Sequence, residues 1–275
     1  EINLFSICVR LCLVLGLIIT SHMALAQCVP PVSEGPWKSI DSWRVIDGDT
    51  LHFEANQRLR LAMVNTPEIG RNGRPNEPFA LAAKQAVNDF MVTSKALYWQ
   101  VGLDERQQPA RDRYGRWLGQ VYNAQGDWLA ATLVAKGLAF ATSFAPNPAP
   151  DCLWRLEAQA KQAGKGVWSS KLGLSQAAAD MQPPAGGFML LNGEVTKVSN
   201  SQYYWYLELD GDVVLRLNKR RWTDAGGAEP QAWLNRQIQT RGWLHWRKLS
   251  ASQEQRNFKR GMIKINHPHM LAVIN

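Results

Sequence analysis

The sequence predicts an α+β chain: a small β-barrel with helices packed against it, then a second, smaller all-β barrel. Three observations carry this. Short β-prone runs come first and helix-like segments follow them. Residues 171–187, rich in small residues, proline and glycine, divide the chain as a linker. After them the pattern returns to short strands. Without an N-terminal leader about 250 residues remain, which suits two domains better than one small barrel.

Taken in order, Trp43–Ile46, Thr50–Glu54 and Arg58–Val64 are β-prone and separated by Asp-Gly and Asn-Gln turns. Residues 77–92 place Phe79, Ala83, Val87 and Phe90 at three- or four-residue steps and predict a helix. Leu97–Val101 and Trp117–Tyr122 are further strands. Asp127 is positioned to cap a helix over 128–136 that Gly137 stops, and Asp151 to cap one over 152–163 that Gly164 stops. Beyond the linker, Phe188–Val198, Gln202–Leu209, Val213–Leu217, Gln237–Trp246 and Met262–Ile265 read as strands, with Met270–Ile274 as a sixth candidate. Asp210-Gly211 is a hairpin signal. Five or six short strands in about 90 residues fit a closed barrel.

The N-terminus reads as an export signal. Arg10 precedes an apolar run from Leu11 to Thr20, and Ala24-Leu25-Ala26 offers a cleavage site. The apolar run is short for a membrane span, which needs roughly 20 residues. The expectation is a leader over 1–26, a mature chain in the periplasm or outside the cell, and no stable membrane association. Such a chain keeps Cys28 and Cys152, an even pair that suggests a disulfide in an oxidising compartment; two separate buried thiols are the alternative. Residues 27–185 carry 17 Lys+Arg against 15 Asp+Glu, and residues 186–275 carry 13 against 7. A basic domain beside a nearly neutral one points to a polyanion, although a soluble protein of high pI has the same composition.

The chemistry concentrates in the first domain. Asp47 and Asp49 flank a glycine in Val45-Ile46-Asp47-Gly48-Asp49-Thr50, so both can approach one hard cation as the chain turns. Glu68, after Thr66-Pro67, can orient or deprotonate water. Arg60, and Arg116 in Asp112-Arg113-Tyr114-Gly115-Arg116, are natural phosphate clamps. Each motif alone is an ordinary turn. The ordered set suggests metal-assisted cleavage of a phosphodiester.

That set resembles the staphylococcal (micrococcal) thermonuclease family over residues 40–170. The resemblance includes Arg60-Leu61, Thr66-Pro67-Glu68, Leu133-Val134-Ala135-Lys136-Gly137-Leu138-Ala139, Glu157-Ala158-Gln159-Ala160-Lys161 and Gly166-Val167-Trp168-Ser169. It implies an OB-type five-stranded barrel with packed helices that cleaves DNA and RNA with calcium and leaves 3′-phosphates. It implies Asp49 as a direct calcium ligand, Asp47 acting through water, and the Thr66 main-chain oxygen as another ligand. It implies Arg60 and Arg116 on the scissile phosphate, with Glu68 near the attacking water, and places Arg113 and Tyr114 beside the nucleic acid. Asn65 departs from the family, which has an aspartate ligand there. The lost charge predicts a weaker calcium site, and magnesium or manganese as alternative ions. Phe140 and Phe144 are approximate matches to nucleotide-contacting tyrosines.

The second domain resembles the OB-fold modules appended to some secreted thermonuclease-like proteins. Aromatic and basic residues interleave in Gln239–Arg247, as in single-strand binders. Lys219, Arg220, Arg221, Arg241, Trp243, Trp246 and Arg247 are the candidate contacts. Several tryptophans are also needed to fill a small core, and the basic triplet reads equally as a solvated loop. His267 and His269, two apart, lack a carboxylate or cysteine cluster to complete a metal site. The leading reading is an exported, metal-dependent, monomeric nuclease of DNA and RNA. The alternative is a non-catalytic nucleic-acid-binding protein on a degraded nuclease fold.

Overall fold

The computed structural model describes residues 28, 37–54, 57–104, 106–143 and 149–274. The leader, residues 1–26, and Phe144 lie outside them. The first half contains β1 (Trp37–Ser39), β2 (Trp43–Val45), β3 (Thr50–Phe53), β4 (Arg58–Leu61), β5 (Val64–Asn65), α1 (Ala80–Thr93), β6 (Leu97–Val101), β7 (Trp117–Asn123), α2 (Leu129–Ala135), β8 (Phe140–Ala141) and α3 (Asp151–Gln162). The second contains β9 (Gln176–Ala177), β10 (Gly187–Asn200), β11 (Tyr204–Leu209), β12 (Val213–Asn218), α4 (Lys219–Asp224), β13 (Gln237–Trp246), α5 (Ala251–Gln255), β14 (Gly261–Ile265) and β15 (Leu271–Val273). No helix among the described residues is long and apolar enough to cross a membrane.

Both halves close into barrels by one strand order. In the first, β2, β3 and β4 form an antiparallel meander. β4 then runs parallel to β7, β7 antiparallel to β6, and β6 antiparallel to β1. Since β1 and β2 are consecutive pieces of one interrupted strand, the circuit is closed. In the second, β10, β11 and β12 form the meander, β12 runs parallel to β14, and β13 joins β14 back to β10. This is the OB arrangement expected for the first half, and it recurs in the second.

Strand alternation explains what each barrel buries. On β4, Leu59 and Leu61 face a core shared with Leu51, Val121, Leu129 and Leu133 and with Ala83, Val87 and Met91 of α1. Arg58 and Arg60 take the other face. In the second barrel Val195, Leu207, Leu209, Leu215, Leu217, Ile238, Ile263 and Ile265 fill the interior, with Trp222 of α4 against them.

Several local expectations change. Trp128, not Asp127, precedes α2, because Asp127 is held in the preceding turn by Asn123 through Asn123 Nδ2–Asp127 Oδ2, 2.7 Å. Asp151 is the first residue of α3 and Pro150 its cap position. The basic triplet opens α4, where Asn218 accepts from the Arg221 amide. Residues 171–187 are not a free tether: Gln176 and Ala177 pair with β10, and Ala178 and Met181 enter the second core. Their small side chains permit this close packing.

The halves also meet through side chains. Arg241 Nη1 lies 2.6 Å from each carboxylate oxygen of buried Glu157 in α3, and 3.3 Å from the Ala141 carbonyl. Glu157 also accepts from the Ala141 amide. Phe140 is buried against Trp168 and Phe188, so it belongs to this contact rather than to a nucleotide pocket. Cys28 is bonded to Cys152.

Candidate active site

The site forms where three turns meet beside β4 on the outside of the first barrel. Gly48 lets the Asp47–Asp49 turn press against its neighbours. A Cβ at this position would stand 2.7 Å from Ala83 Cβ of α1 and 2.7 Å from Thr66 Oγ1. The close approach lets Asp49 Oδ2 accept from both the Thr66 amide and the Thr66 hydroxyl, each at 3.1 Å. Asp47 Oδ1 accepts from the Asp49 amide and fixes the turn.

Arg60 is only 8% exposed. Its Nη1 sits 3.1 Å from Asp49 Oδ2 and donates to the Leu61 and Val64 carbonyls, while Nη2 donates to Asn65 Oδ1. A guanidinium has five N–H donors. Those three hydrogen bonds lock the side chain and leave two N–H groups for a ligand. Arg116 is set differently. Gly115, at φ +75°, turns the loop so that Asp112 Oδ1 accepts from the Tyr114 and Arg116 amides and Oδ2 accepts from Arg116 Nε at 2.6 Å. Burial opposes the Asp112 charge, but the hydrogen bonds from Arg116 and Tyr114 outweigh it and hold the carboxyl below its usual range. Arg116 Nη1 then donates to Thr50 Oγ1, which donates to Asp49 Oδ1.

One chain of hydrogen bonds and an ion pair therefore runs Asp112–Arg116–Thr50–Asp49–Arg60–Asn65, the ion pair being Asp49–Arg60, with Thr66 joined at Asp49. Thr50 and Asp112 had no assigned role in the sequence reading. Their signal was present in the motifs, since a hydroxyl next to Asp49 and an acid four residues before Arg116 are both within local reach.

Glu68 lies at the exposed lip. Crowding by protein, then the charges of Asp49 and Asp47, push its carboxyl up to about 7 despite Arg60. Burial and then Asp49 likewise raise Asp47. Acids held this close have more negative charge than Arg60 relieves, the imbalance a divalent cation would correct. The oxygen donors of Asp47, Asp49, Asn65 and the Thr66 carbonyl suit a hard ion. Asn65 is the weak member: its Oδ1 is taken by Arg60 and its Nδ2 meets the Thr66 carbonyl at 3.3 Å. Among the described residues no three His, Cys, Asp or Glu side chains stand close enough to form a metal cluster by themselves.

Tyr114 is 58% exposed at the cleft edge, with the guanidinium of Arg113 4.8 Å and that of Arg116 5.5 Å from its ring centre. The candidates in the second domain engage partners within the protein. Arg241 is committed to Glu157. Trp246 donates to the Ala185 carbonyl and packs on the core. Trp243 packs edge-on against Phe188 at 4.9 Å. Arg247 donates to the Lys259 carbonyl. Lys219 lies over Trp205 and bonds Asn200, and Arg220 faces Asp224 in the solvent. His267 and His269 pack on Trp154, and His269 Nε2 is 3.8 Å from Asp151.

Residues 58–170 match the family described as Staphylococcal nuclease homologue. The chain is 29% identical over 131 residues to a thermonuclease of Staphylococcus hyicus, covering 46% of this chain and 73% of that protein. It is 29% identical over 137 residues to the micrococcal nuclease of Shigella flexneri, with 46% and 71% covered. A thermonuclease of Staphylococcus intermedius is 34% identical over 108 residues, covering 38% of this chain and 60% of that protein. The family match takes in Arg60, Asn65–Glu68 and Arg116. The Asp47–Thr50 turn precedes it and is joined to those residues by the hydrogen bonds above.

Proposed function

Because the chain belongs to the staphylococcal nuclease family through residues 58–170, we propose that it hydrolyses the phosphodiester bonds of DNA and RNA with little sequence preference. The observation that carries this is the continuous chain of hydrogen bonds and one ion pair tying both arginines to Asp49. A protein that only bound nucleic acid would have no need for two guanidinium groups, one carboxylate network and a high-pKa Glu68 around one cleft.

Arg60 and Arg116 grip the scissile phosphate and hold more tightly as negative charge builds in the transition state. Glu68 orients the attacking water and takes its proton. The water oxygen bonds to phosphorus, the bond to the 5′ oxygen breaks, and that oxygen takes up a proton, leaving a 3′-phosphate. Asp47, Asp49, Asn65 and the Thr66 carbonyl would hold a divalent cation, with calcium the first candidate and magnesium or manganese the others. When bound, such a cation supplies charge neutralisation and polarises the phosphate. The proposed site of action is the periplasm or the medium, supported by the apolar run Leu11–Thr20 read as an export signal.

The test is digestion of single- and double-stranded DNA and RNA with calcium, magnesium, manganese or chelator. Wild type should cleave with a divalent ion, and Glu68→Gln and Arg116→Ala should not. Tight binding without cleavage under every ion would instead establish a non-catalytic binding protein.

A further inference from the structure

The second barrel carries a patterned outer face that the sequence did not single out. Strand register places Ser199, Tyr206, Arg216 and Lys264 in one row across four strands, through the pairs Ser199–Tyr206, Tyr206–Arg216 and Arg216–Lys264. Neighbouring strands are about 4.8 Å apart, so the row is compact. Tyr204 lies on the same face two residues along β11. Its ring is 6.4 Å from that of Tyr206, and the Arg216 guanidinium lies over it at 4.6 Å. Among the described residues, neither Arg216 nor Lys264 makes a salt bridge. The one acid in the adjacent row, Glu208, is paired with Lys197 at 3.0 Å.

One further cation and a neutral imidazole border the face. Arg247, depressed in pKa first by burial and then by Arg216, lies beside the row at Tyr206. His245 pairs with Met262 on β14, next but one to Lys264. Its pKa is lowered by burial and then by Arg113 and Lys264. Arg113 belongs to the active-site loop of the first barrel. The charge of Arg113 is thus felt at His245, on the edge of this sheet.

We propose that Tyr204, Tyr206, Arg216 and Lys264 hold one unpaired nucleic-acid strand, as an extension of the cleft in the first barrel. The inference rests on the nuclease reading for its ligand. Unpaired bases have open faces for the tyrosines, and the cations match the phosphates; a duplex hides its bases from such a surface. The basic triplet at Lys219–Arg221 is not required.

The test uses the full chain with Glu68→Gln, so that a labelled 20-nucleotide single strand is bound and not consumed. R216Q/K264Q should weaken binding and flatten the dependence of log K on log salt by about 1.4, at roughly 0.7 per lost phosphate contact. Tyr206→Leu should weaken binding about 5- to 150-fold. R216K/K264R, which keeps both charges, should bind like the parent. With Glu68 intact, R216Q/K264Q should raise KM for the oligonucleotide and leave cleavage of a mononucleotide phosphodiester unchanged. Parent-like affinity and salt slope in R216Q/K264Q, in a chain that cleaves, would overturn the sheet site alone. Equal loss in R216K/K264R, or loss only in K219Q/R220Q, would overturn it too. Loss in R216Q/K264Q from a chain whose wild type cuts nothing would uphold the sheet site and end the nuclease reading.

Discussion

The two barrels repeat one strand circuit and put cations on or at the start of the same pair of parallel strands, yet they use them differently. In the first, Arg60 lies on β4, and Arg116 immediately precedes the parallel strand β7. In the second, Arg216 on β12 pairs with Lys264 on β14. Around the first pair the turns bring Asp47, Asp49 and Glu68, and Arg60 is buried and locked by carbonyls. Around the second stand Tyr204 and Tyr206, with no comparable acid cluster among the described residues. Cations with acids form a place where charge can develop and be stabilised. Cations with aromatic rings form a place where a charged, flat ligand can rest. The strand circuit fixes where the cations go, and the loops decide whether chemistry follows.

Substitution should separate these roles most sharply at the arginines. Arg60→Ala or Arg116→Ala should lower the cleavage rate by about three to five orders of magnitude. Arg216→Ala should not change the single-turnover rate on a mononucleotide phosphodiester. Equal losses at Arg116 and Arg216 would erase the distinction between the barrels. The contact between the barrels gives the next effect. Glu157→Ala leaves Arg241 without its carboxylate at a site where the side chains are only 12% and 6% exposed. Breaking such a pair should destabilise by about 3–5 kcal/mol in denaturant unfolding. A loss under about 1 kcal/mol would mean the pair behaves as a solvated one. Smaller again is Gly48→Ala. Its new methyl meets Ala83 and Thr66, and the overpacking should cost about 1–3 kcal/mol. Activity should fall with it, because Thr66 is bonded to Asp49. Full stability together with full activity would show that the turn yields freely.

The legible parts of this molecule were local. Asp47–Thr50, Thr66–Glu68 and Asp112–Arg116 are turns whose chemistry is set within a few residues, so their motifs announced both the turn and its polar groups. The strands followed from β-prone runs and their period. What was hidden depended on partners distant in sequence. Arg241 read as a nucleic-acid contact because it stands among aromatic and basic neighbours, and its real carboxylate is 84 residues away. Residues 171–187 read as a linker because small residues suit loops, and their packing against β10 was not visible because small residues also suit close packing beneath a strand. The Tyr206–Arg216–Lys264 row could not be read because it requires strand register, which a parallel β12–β14 pairing does not write into either strand alone. Asp127 misled for a different reason: two local partners competed for it, and Asn123 prevailed over the helix end.

The finest distinction between an acid-rich barrel and an acid-poor one lies in a single side chain. Asn65 turns an amide nitrogen toward the Thr66 carbonyl, presenting a partial positive charge to an oxygen offered to the cation. Asn65→Asp would replace that donor with a second acceptor and add one negative charge beside Asp49. Ligand charge count sets affinity at such sites, so the variant should bind calcium about tenfold more tightly. Titration calorimetry on the free protein reads this without reference to cleavage. The same change carries an opposing term: Arg60 already donates to position 65, and a carboxylate there would draw it harder. If that attraction dominates, calcium affinity will stay level and Arg60 will be held back from the phosphate. An Asn65→Asp variant that binds calcium no better than the parent would therefore place the limit on the site in the competition between Arg60 and the ion, not in a missing charge.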